Sequence, residues 1–284
     1  MPLWQAVVLA VAQGITEFLP ISSTAHLTLI PWLFGWQDPG LTFDVALHVG
    51  TLFAVSVYFF RTWVDLLVLG VGRNPIYAKP PVALEDAAAK RFPPHRTLFW
   101  FLVVATFPAG IAGWMFHEQV ATTLRHPAVV GSALILMAIP MAWGDKVGRS
   151  VKTLYTVSLA DSLWIGFSQA LALVPGVSRS GATISMGRFL GYEREAATRY
   201  AFLLAIPAVV GAGLYELQEI PHGSNAYGWG PTIVATVVSF VVGYAAIAWL
   251  LRYISTHSYT PFVLYRVALG TATLVLVGAG VLSA

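Results

Sequence analysis

Six long apolar runs constrain the fold of this chain more than any other feature of its sequence. They cover residues 43–60, 98–116, 128–143, 200–217, 231–251 and 262–282. A helix of roughly 20 apolar residues spans the hydrocarbon core of a bilayer, and each run reaches or approaches that length. Only 10% of the residues are charged, whereas soluble domains carry about a quarter. The chain is therefore predicted to be an all-α integral membrane protein, a single membrane domain over residues 1–284 with six transmembrane helices.

Two further apolar segments, at about 1–36 and about 155–190, are interrupted near their middles. Proline, glycine and hydroxyl residues divide each segment into halves that are too short to cross a bilayer. Irregular backbone at membrane depth is tolerated only where protein or a water-filled cavity satisfies its polar groups. Each segment is therefore predicted to form a re-entrant helical hairpin.

The distribution of lysine and arginine predicts the orientation of the chain. Basic residues concentrate in two loops, with Arg61, Arg73, Lys79, Lys90, Arg91 and Arg96 in the first and Lys146, Arg149 and Lys152 in the second. These loops are expected to be cytoplasmic, and the loops at 117–127 and 218–230, which have few basic residues, are expected to be external. In this orientation the first hairpin enters the membrane from outside and the second from inside.

Two opposed hairpins predict an inverted repeat, with residues 1–143 as the first half and residues 144–284 as the second. Gln13 and Gln169 are as far apart in the chain as Ser22 and Ser178, which is a faint trace of such a duplication. Inverted repeats built around broken helices place their binding site near the bilayer midplane, where the halves meet.

The second hairpin contains "PGVSRSGATI", residues 175–184, and Arg179 is its most informative residue. A guanidinium at membrane depth is costly and normally marks a functional site. Hydroxyls, free backbone N–H groups and a helix N-terminus around an arginine are typical of an anion site that takes phosphate or pyrophosphate. The alternative is a structural ion pair between Arg179 and a carboxylate such as Glu17. The hydroxyls expected to bind the anion belong to Ser178, Ser180 and Thr183.

The first hairpin contains "EFLPISSTAH", residues 17–26, which is expected to face that anion site. Glu17 is a candidate ligand for a divalent cation that bridges phosphate oxygens, and equally a candidate base. His26 is a candidate proton shuttle, although a lone histidine is more often a packing residue. Ser23 is a candidate nucleophile, or a helix cap. The neighbouring side chains expected to bind substrate are Gln13, Ser22 and Thr24.

Other features are less specific. Asp44 and His48 lie one helical turn apart and are expected either to support the site or to join two helices. Arg266 is close to the start of the last apolar run, so its side chain is expected to extend to the cytoplasmic interface. The chain has no cysteine, which excludes disulfides and thiolate metal sites. Its net charge of +3, without a basic stripe, argues against a nucleic-acid partner.

The two motifs "QGITEFLPISSTAH" and "PGVSRSGATI" resemble the signatures of undecaprenyl-diphosphate phosphatases, the bacitracin-resistance protein family. The resemblance extends through "FDVALHVGTLFAV", "FLLAIPAVVGAG" and "PFVLYRVALG", and so over nearly the whole chain. It implies a multi-pass hydrolase of the bacterial cytoplasmic (inner) membrane that removes the terminal phosphate of undecaprenyl diphosphate. The product is the lipid carrier for peptidoglycan and other cell-wall polymers.

The resemblance also implies dependence on Mg²⁺ or Ca²⁺ and an active site that opens toward the periplasm. By position, it makes Glu17 the second glutamate of the first motif and Arg179 the centre of the phosphate-binding motif. Two residues depart from the family pattern. Gln13 stands where many members have glutamate, and glutamine cannot act as a second carboxylate. Ala25 stands where glycine is common, which constrains the loop if that position requires a positive φ.

Several alternatives remain open at this stage. Either Ser23 or an activated water attacks the terminal phosphorus. A lipid-phosphate flippase or transporter would also use opposed broken helices and an arginine-lined anion site. A non-catalytic lipid-binding scaffold would explain the apolar helices but not the clustered polar residues. The polyprenyl diphosphate substrate and membrane lipid are the expected partners, and the sequence allows a homodimer.

Overall fold

The structure is a computed structural model that describes residues 2–77, 96–121, 123–216 and 227–281. Within these ranges the chain forms eleven α-helices and no strand, apart from one isolated bridge between Lys152 and Tyr192. The helices are α1 Leu3–Thr16, α2 Ser23–Phe34, α3 Leu41–Tyr58, α4 Phe60–Gly70, α5 Leu98–Ala121, α6 Pro127–Val147, α7 Leu159–Ala170, α8 Arg179–Phe189, α9 Arg194–Glu216, α10 Trp229–Ile254 and α11 Thr260–Gly278. Most of the first basic loop between Arg73 and Arg96, and most of the predicted loop at 218–230, lies outside the described residues.

Five of these helices contain a stretch that is long and apolar enough to cross a membrane, within α5, α6, α9, α10 and α11. The pair α3 and α4 brings the number to six if it is counted as one span, although it bends by 74° at Phe59. The sequence placed an apolar run at 43–60, and the bend falls at its end. The prediction of an all-helical, membrane-compatible fold is therefore confirmed for the part of the chain that is described.

Both interrupted segments form two short helices with a break at the predicted place. The first segment gives α1 and α2, joined through residues 17–22, and the second gives α7 and α8, joined through residues 171–178. Ser22 and Ser178 precede the second helix of each pair, with nearly equal φ angles of 73° and 72°. Each side chain accepts a hydrogen bond from the backbone N–H three residues later and so caps its helix. The two breaks thus share one local geometry.

Each hairpin is held in the bundle by close packing of its first helix. Helix α1 packs against α10 and α3, and α7 packs against α5. Gly14 on α1 faces Gly243 on α10 so closely that an added Cβ would lie 2.9 Å from the Gly243 nitrogen. Gly166 on α7 meets the backbone of Ala105 on α5 in the same way. Small residues permit such approach between membrane helices, and the two breaks are thereby brought together inside the bundle.

Candidate functional site

The breaks of the two hairpins touch each other, and the residues between them form what we call the hairpin-tip site: Glu17, Ser23, Arg179 and Ser180. The Ser180 hydroxyl donates to the Leu19 carbonyl at 3.1 Å, so the second hairpin contacts the backbone of the first. Glu17, Ser23 and Ser180 are buried, and the Arg179 side chain is 19% exposed. The helices α2 and α8 both begin here, and their free N–H groups favour an anion.

The Glu17 carboxylate is the centre of the site. Its Oε1 accepts from Arg179 at 2.7 Å across the two hairpins. Its Oε2 accepts from the Ser23 hydroxyl at 2.6 Å and from the Gln13 amide at 3.1 Å. The Nε2 atom of His48 lies 3.7 Å from the same oxygen. The ion pair considered as the alternative interpretation of Arg179 is thus present, and it lies among the residues predicted to perform the chemistry.

Each hairpin break carries a pair of neighbouring hydroxyl groups. The Ser22 and Thr24 hydroxyls are 3.0 Å apart in the first hairpin, and those of Ser178 and Ser180 are 3.1 Å apart in the second. Thr183, also a predicted substrate ligand, lies one turn beyond Arg179, where its hydroxyl donates to the Arg179 carbonyl at 2.8 Å. Its hydroxyl is therefore engaged by its own helix in this structure.

The histidines occupy two different places. His48 reaches Glu17, while its Nδ1 lies 2.8 Å from the backbone carbonyl of Asp44, so the pair supports the site through His48. His26 is one turn into α2 and contacts the Ser22 carbonyl and the Tyr265 hydroxyl.

Ala25, which replaces a common glycine, lies inside α2, so no positive φ is required there. The positive φ falls on Ser22 instead.

The prediction for Arg266 was wrong. Its side chain is fully buried instead of extending to the interface. The guanidinium donates to five backbone carbonyls at 2.8–3.4 Å, two in the second hairpin, one in the first and two in α6: those of Gly176, Val177, Pro20, Ala133 and Leu134. Broken helices leave carbonyls without intrahelical donors, and the five-donor fork of an arginine can satisfy several at once. Arg266 therefore holds the two hairpin breaks together.

Replacing Arg266 by methionine is expected to lower the free energy of unfolding by about 3 kcal/mol or more, because several buried carbonyls lose their donors. Binding of an anion between the hairpins should weaken as well, since one of the contacts that join them is lost. Thermal unfolding in detergent measures the first effect. Arg252→Met, an exposed arginine in the last turn of α10, is the control and should leave the unfolding temperature unchanged. Equal unfolding temperatures for both variants would contradict the assigned role.

The donor set at the site fits a divalent cation that is shared with a phosphate. The Gln13 Oε1 atom is buried and accepts no hydrogen bond within the described residues. In the same part of the chain, no group of three or more His, Cys, Asp or Glu side chains could hold a metal unaided. Mg²⁺ commonly binds one or two carboxylates plus substrate phosphates. Glu17 and the Gln13 amide oxygen are the side chains that suit such an ion.

Comparison of the sequence with those of known proteins assigns the chain to a family. The family model "Bacitracin resistance protein BacA" matches residues 6–272. The chain is 52% identical over 280 residues to the undecaprenyl-diphosphatase of Nocardioides sp., which covers 99% of this chain and 98% of the relative. It is 46% identical over 277 residues to that of Kineococcus radiotolerans, with 97% and 94% covered. For that of Pelotomaculum thermopropionicum the identity is 43% over 279 residues, with 98% of each covered.

Proposed function

Because the chain belongs to the bacitracin resistance protein BacA family, we propose that its hairpin-tip site hydrolyses the phosphoanhydride of undecaprenyl diphosphate. The enzyme removes the terminal phosphate and yields undecaprenyl phosphate and inorganic phosphate, which recycles the lipid carrier for cell-wall synthesis. The observation that carries the assignment of the site is the contact between the hairpins. Glu17 pairs with Arg179 from the other half of the chain and with Ser23 from its own half.

Substrate binding is assigned to Arg179 and the groups around it. A guanidinium binds two oxygens of a phosphate at once, and the N-termini of α2 and α8 add backbone N–H donors. In the free protein Arg179 is held by Glu17 and by the Ala205 carbonyl, so its planar group is already oriented. The diphosphate then binds to this oriented guanidinium, between the two hairpins. The hydroxyls that line this place belong to Ser22, Thr24, Ser178 and Ser180.

Ser23 is assigned as the nucleophile. Its hydroxyl donates to Glu17 at 2.6 Å, and a serine attacks efficiently only when an adjacent base takes its proton. In the first step the Ser23 oxygen bonds to the terminal phosphorus, its proton passes to Glu17, and the bond to the bridging oxygen breaks to release the lipid monophosphate. In the second step a water oxygen bonds to phosphorus, the bond from phosphorus to the Ser23 oxygen breaks, Glu17 returns its proton to that oxygen, and inorganic phosphate leaves. Direct attack by water is the alternative.

A divalent cation, Mg²⁺ or Ca²⁺, is proposed to be held by Glu17 and the Gln13 amide oxygen together with substrate oxygens. When bound, such an ion neutralises charge that develops on the phosphates. Gln13 itself orients Glu17 through its amide N–H, which donates at 3.1 Å. One carboxylate therefore suffices at this site because the substrate supplies the remaining oxygens.

The proposed topology has six transmembrane helices and two opposed re-entrant hairpins in an inverted repeat, residues 1–143 and 144–284. The equal geometry of Ser22 and Ser178 supports the repeat, as does the extensive packing of α6 against α11, one helix from each half. The basic residues after α6 support a cytoplasmic position for that end. As the family resemblance implies, the hairpin-tip site is proposed to open toward the periplasm of the bacterial cytoplasmic membrane.

The purified protein in detergent is expected to release inorganic phosphate from undecaprenyl diphosphate only while a divalent cation is present. EDTA should abolish the release, and Mg²⁺ or Ca²⁺ added in excess should restore it, because the cation offsets charge on the bound diphosphate. Unchanged release in EDTA would refute the metal proposal alone. Movement of intact lipid diphosphate across a reconstituted bilayer, without phosphate release at any cation concentration, would refute the hydrolase.

A further inference from the structure

Both ring nitrogens of His26 are occupied by protein groups. Nδ1 lies 2.7 Å from the Ser22 carbonyl and Nε2 lies 2.6 Å from the Tyr265 hydroxyl. A carbonyl oxygen only accepts hydrogen bonds, so Nδ1 must carry a hydrogen. In the neutral ring Nε2 is then the acceptor, and the Tyr265 hydroxyl donates to it. The planes of the two rings are nearly parallel, 6° apart, with their centroids 5.7 Å apart.

His26 therefore has no nitrogen that faces the reacting groups directly. Its side chain is buried, with 9% of the residue exposed, whereas Tyr265 is 43% exposed. A proton that reaches or leaves Nε2 must pass through the phenolic oxygen. Tyr265 immediately precedes Arg266, whose guanidinium binds the carbonyls of both hairpins. Helix α11 thus brings Tyr265 against His26 of α2, while the next residue, Arg266, contacts the breaks of both hairpins.

We infer that Tyr265 is a catalytic residue, the one through which His26 exchanges protons during the proposed phosphatase reaction. In the second step, as water attacks the phosphoserine, its proton moves to the Tyr265 oxygen while the phenolic proton moves to His26 Nε2. The imidazolium then donates to Tyr265, and the phenolic proton is returned to solvent after phosphate leaves. No charge stays on the phenol, and each proton taken is given back. The inference rests on the proposed function, since it concerns a step of that reaction.

Four variants and a pH series test this relay. Phosphate release is measured for Tyr265→Phe, His26→Gln, the double variant and a control, Tyr244→Phe. The control removes a hydroxyl from α10 at a tyrosine with 42% exposure, against 43% for Tyr265. Tyr265→Phe should lower kcat on the order of 10²-fold with little change in KM, as expected for loss of a proton-transfer group. Tyr265→Phe should also remove the same part of the pH dependence of kcat that His26→Gln removes. The kcat of the double variant should be no lower than that of the slower single variant.

A fifth variant separates proton relay from simple hydrogen bonding. Tyr265→Gln keeps an N–H donor for His26 but cannot pass a proton on, so its kcat should stay as low as that of Tyr265→Phe while it folds normally. Recovery of turnover in Tyr265→Gln would overturn the relay. The relay would also be overturned if the wild type is active and Tyr265→Phe has the same pH profile of kcat as the wild type. It would be overturned as well if the losses of kcat in the two single variants multiply in the double variant. Either result would leave the proposed phosphatase function intact. A wild type that releases no phosphate would overturn the proposed function and the inference with it.

Discussion

Arg179→Ala is expected to reduce phosphate release by at least about 10³-fold, the largest effect we predict for any substitution. Removing one preorganised donor from a developing anion costs on the order of 10²–10³-fold, and this residue supplies two donors and a full charge. The fold should survive, because Glu17 keeps its hydrogen bonds to Ser23 and Gln13. Steady-state phosphate release and thermal unfolding in detergent measure the two effects separately.

Two further variants separate the effect of the Arg179 charge from that of its planar shape and control for the loss of an arginine elsewhere. Arg179→Lys keeps the charge but loses the planar fork, so its activity should be intermediate. Arg199→Ala removes an arginine of comparable side-chain exposure, 26% against 19%, that pairs with Glu195 within α9. The rate of this control should equal that of the wild type. Near-normal turnover in Arg179→Ala would show that phosphate is bound elsewhere.

Ser23→Ala should lower phosphate release by a similar factor if the serine attacks phosphorus. The 2.6 Å contact with Glu17 prepares the hydroxyl for deprotonation, and alanine has no atom that can take its place. Quenching the wild-type reaction with acid during turnover should trap a phosphoserine on the peptide that contains residue 23, visible as added mass. The Ser23→Ala protein should show no such adduct.

The control for this substitution is Ser158→Ala, which removes a helix-capping serine at the start of α7. Loss of the cap should lower stability by about 1 kcal/mol and leave turnover unchanged. Substantial activity in Ser23→Ala, without a trapped intermediate in the wild type, would instead favour direct attack by water with Glu17 as the base. That result would make water the nucleophile in place of Ser23, and the roles assigned to Glu17 and Arg179 would stand.

The elements of the fold were largely predictable because each depends on local composition. Apolar length marks the spans, and Pro20 and Gly176 mark the breaks of the two hairpins, since backbone polar groups cannot be left free in lipid. The approach of Glu17 to Arg179 followed from orienting both hairpins by the charges of the loops. The bend at Phe59 was not predicted, because neither proline nor glycine marks it.

The contributions of α11 could not be predicted from the sequence. Arg266 looked like any arginine near the start of a span, and its five carbonyl partners come from three separate segments that only the folded bundle brings together. The His26 contact with Tyr265 joins residues 239 positions apart. A signal was nevertheless present, since two broken helices leave free carbonyls that require a donor, and Arg266 is the basic residue within the last apolar run.

Glu17 and Arg179, 162 residues apart, are proposed to act as one unit. A double-mutant cycle on kcat/KM with Glu17→Gln, Arg179→Ala and both together tests it most directly. Residues that act as a unit are strongly non-additive, so the double variant should be about as active as the poorer single variant. Losses that multiply, with each substitution costing the same factor in the presence or absence of the other, would contradict the claim.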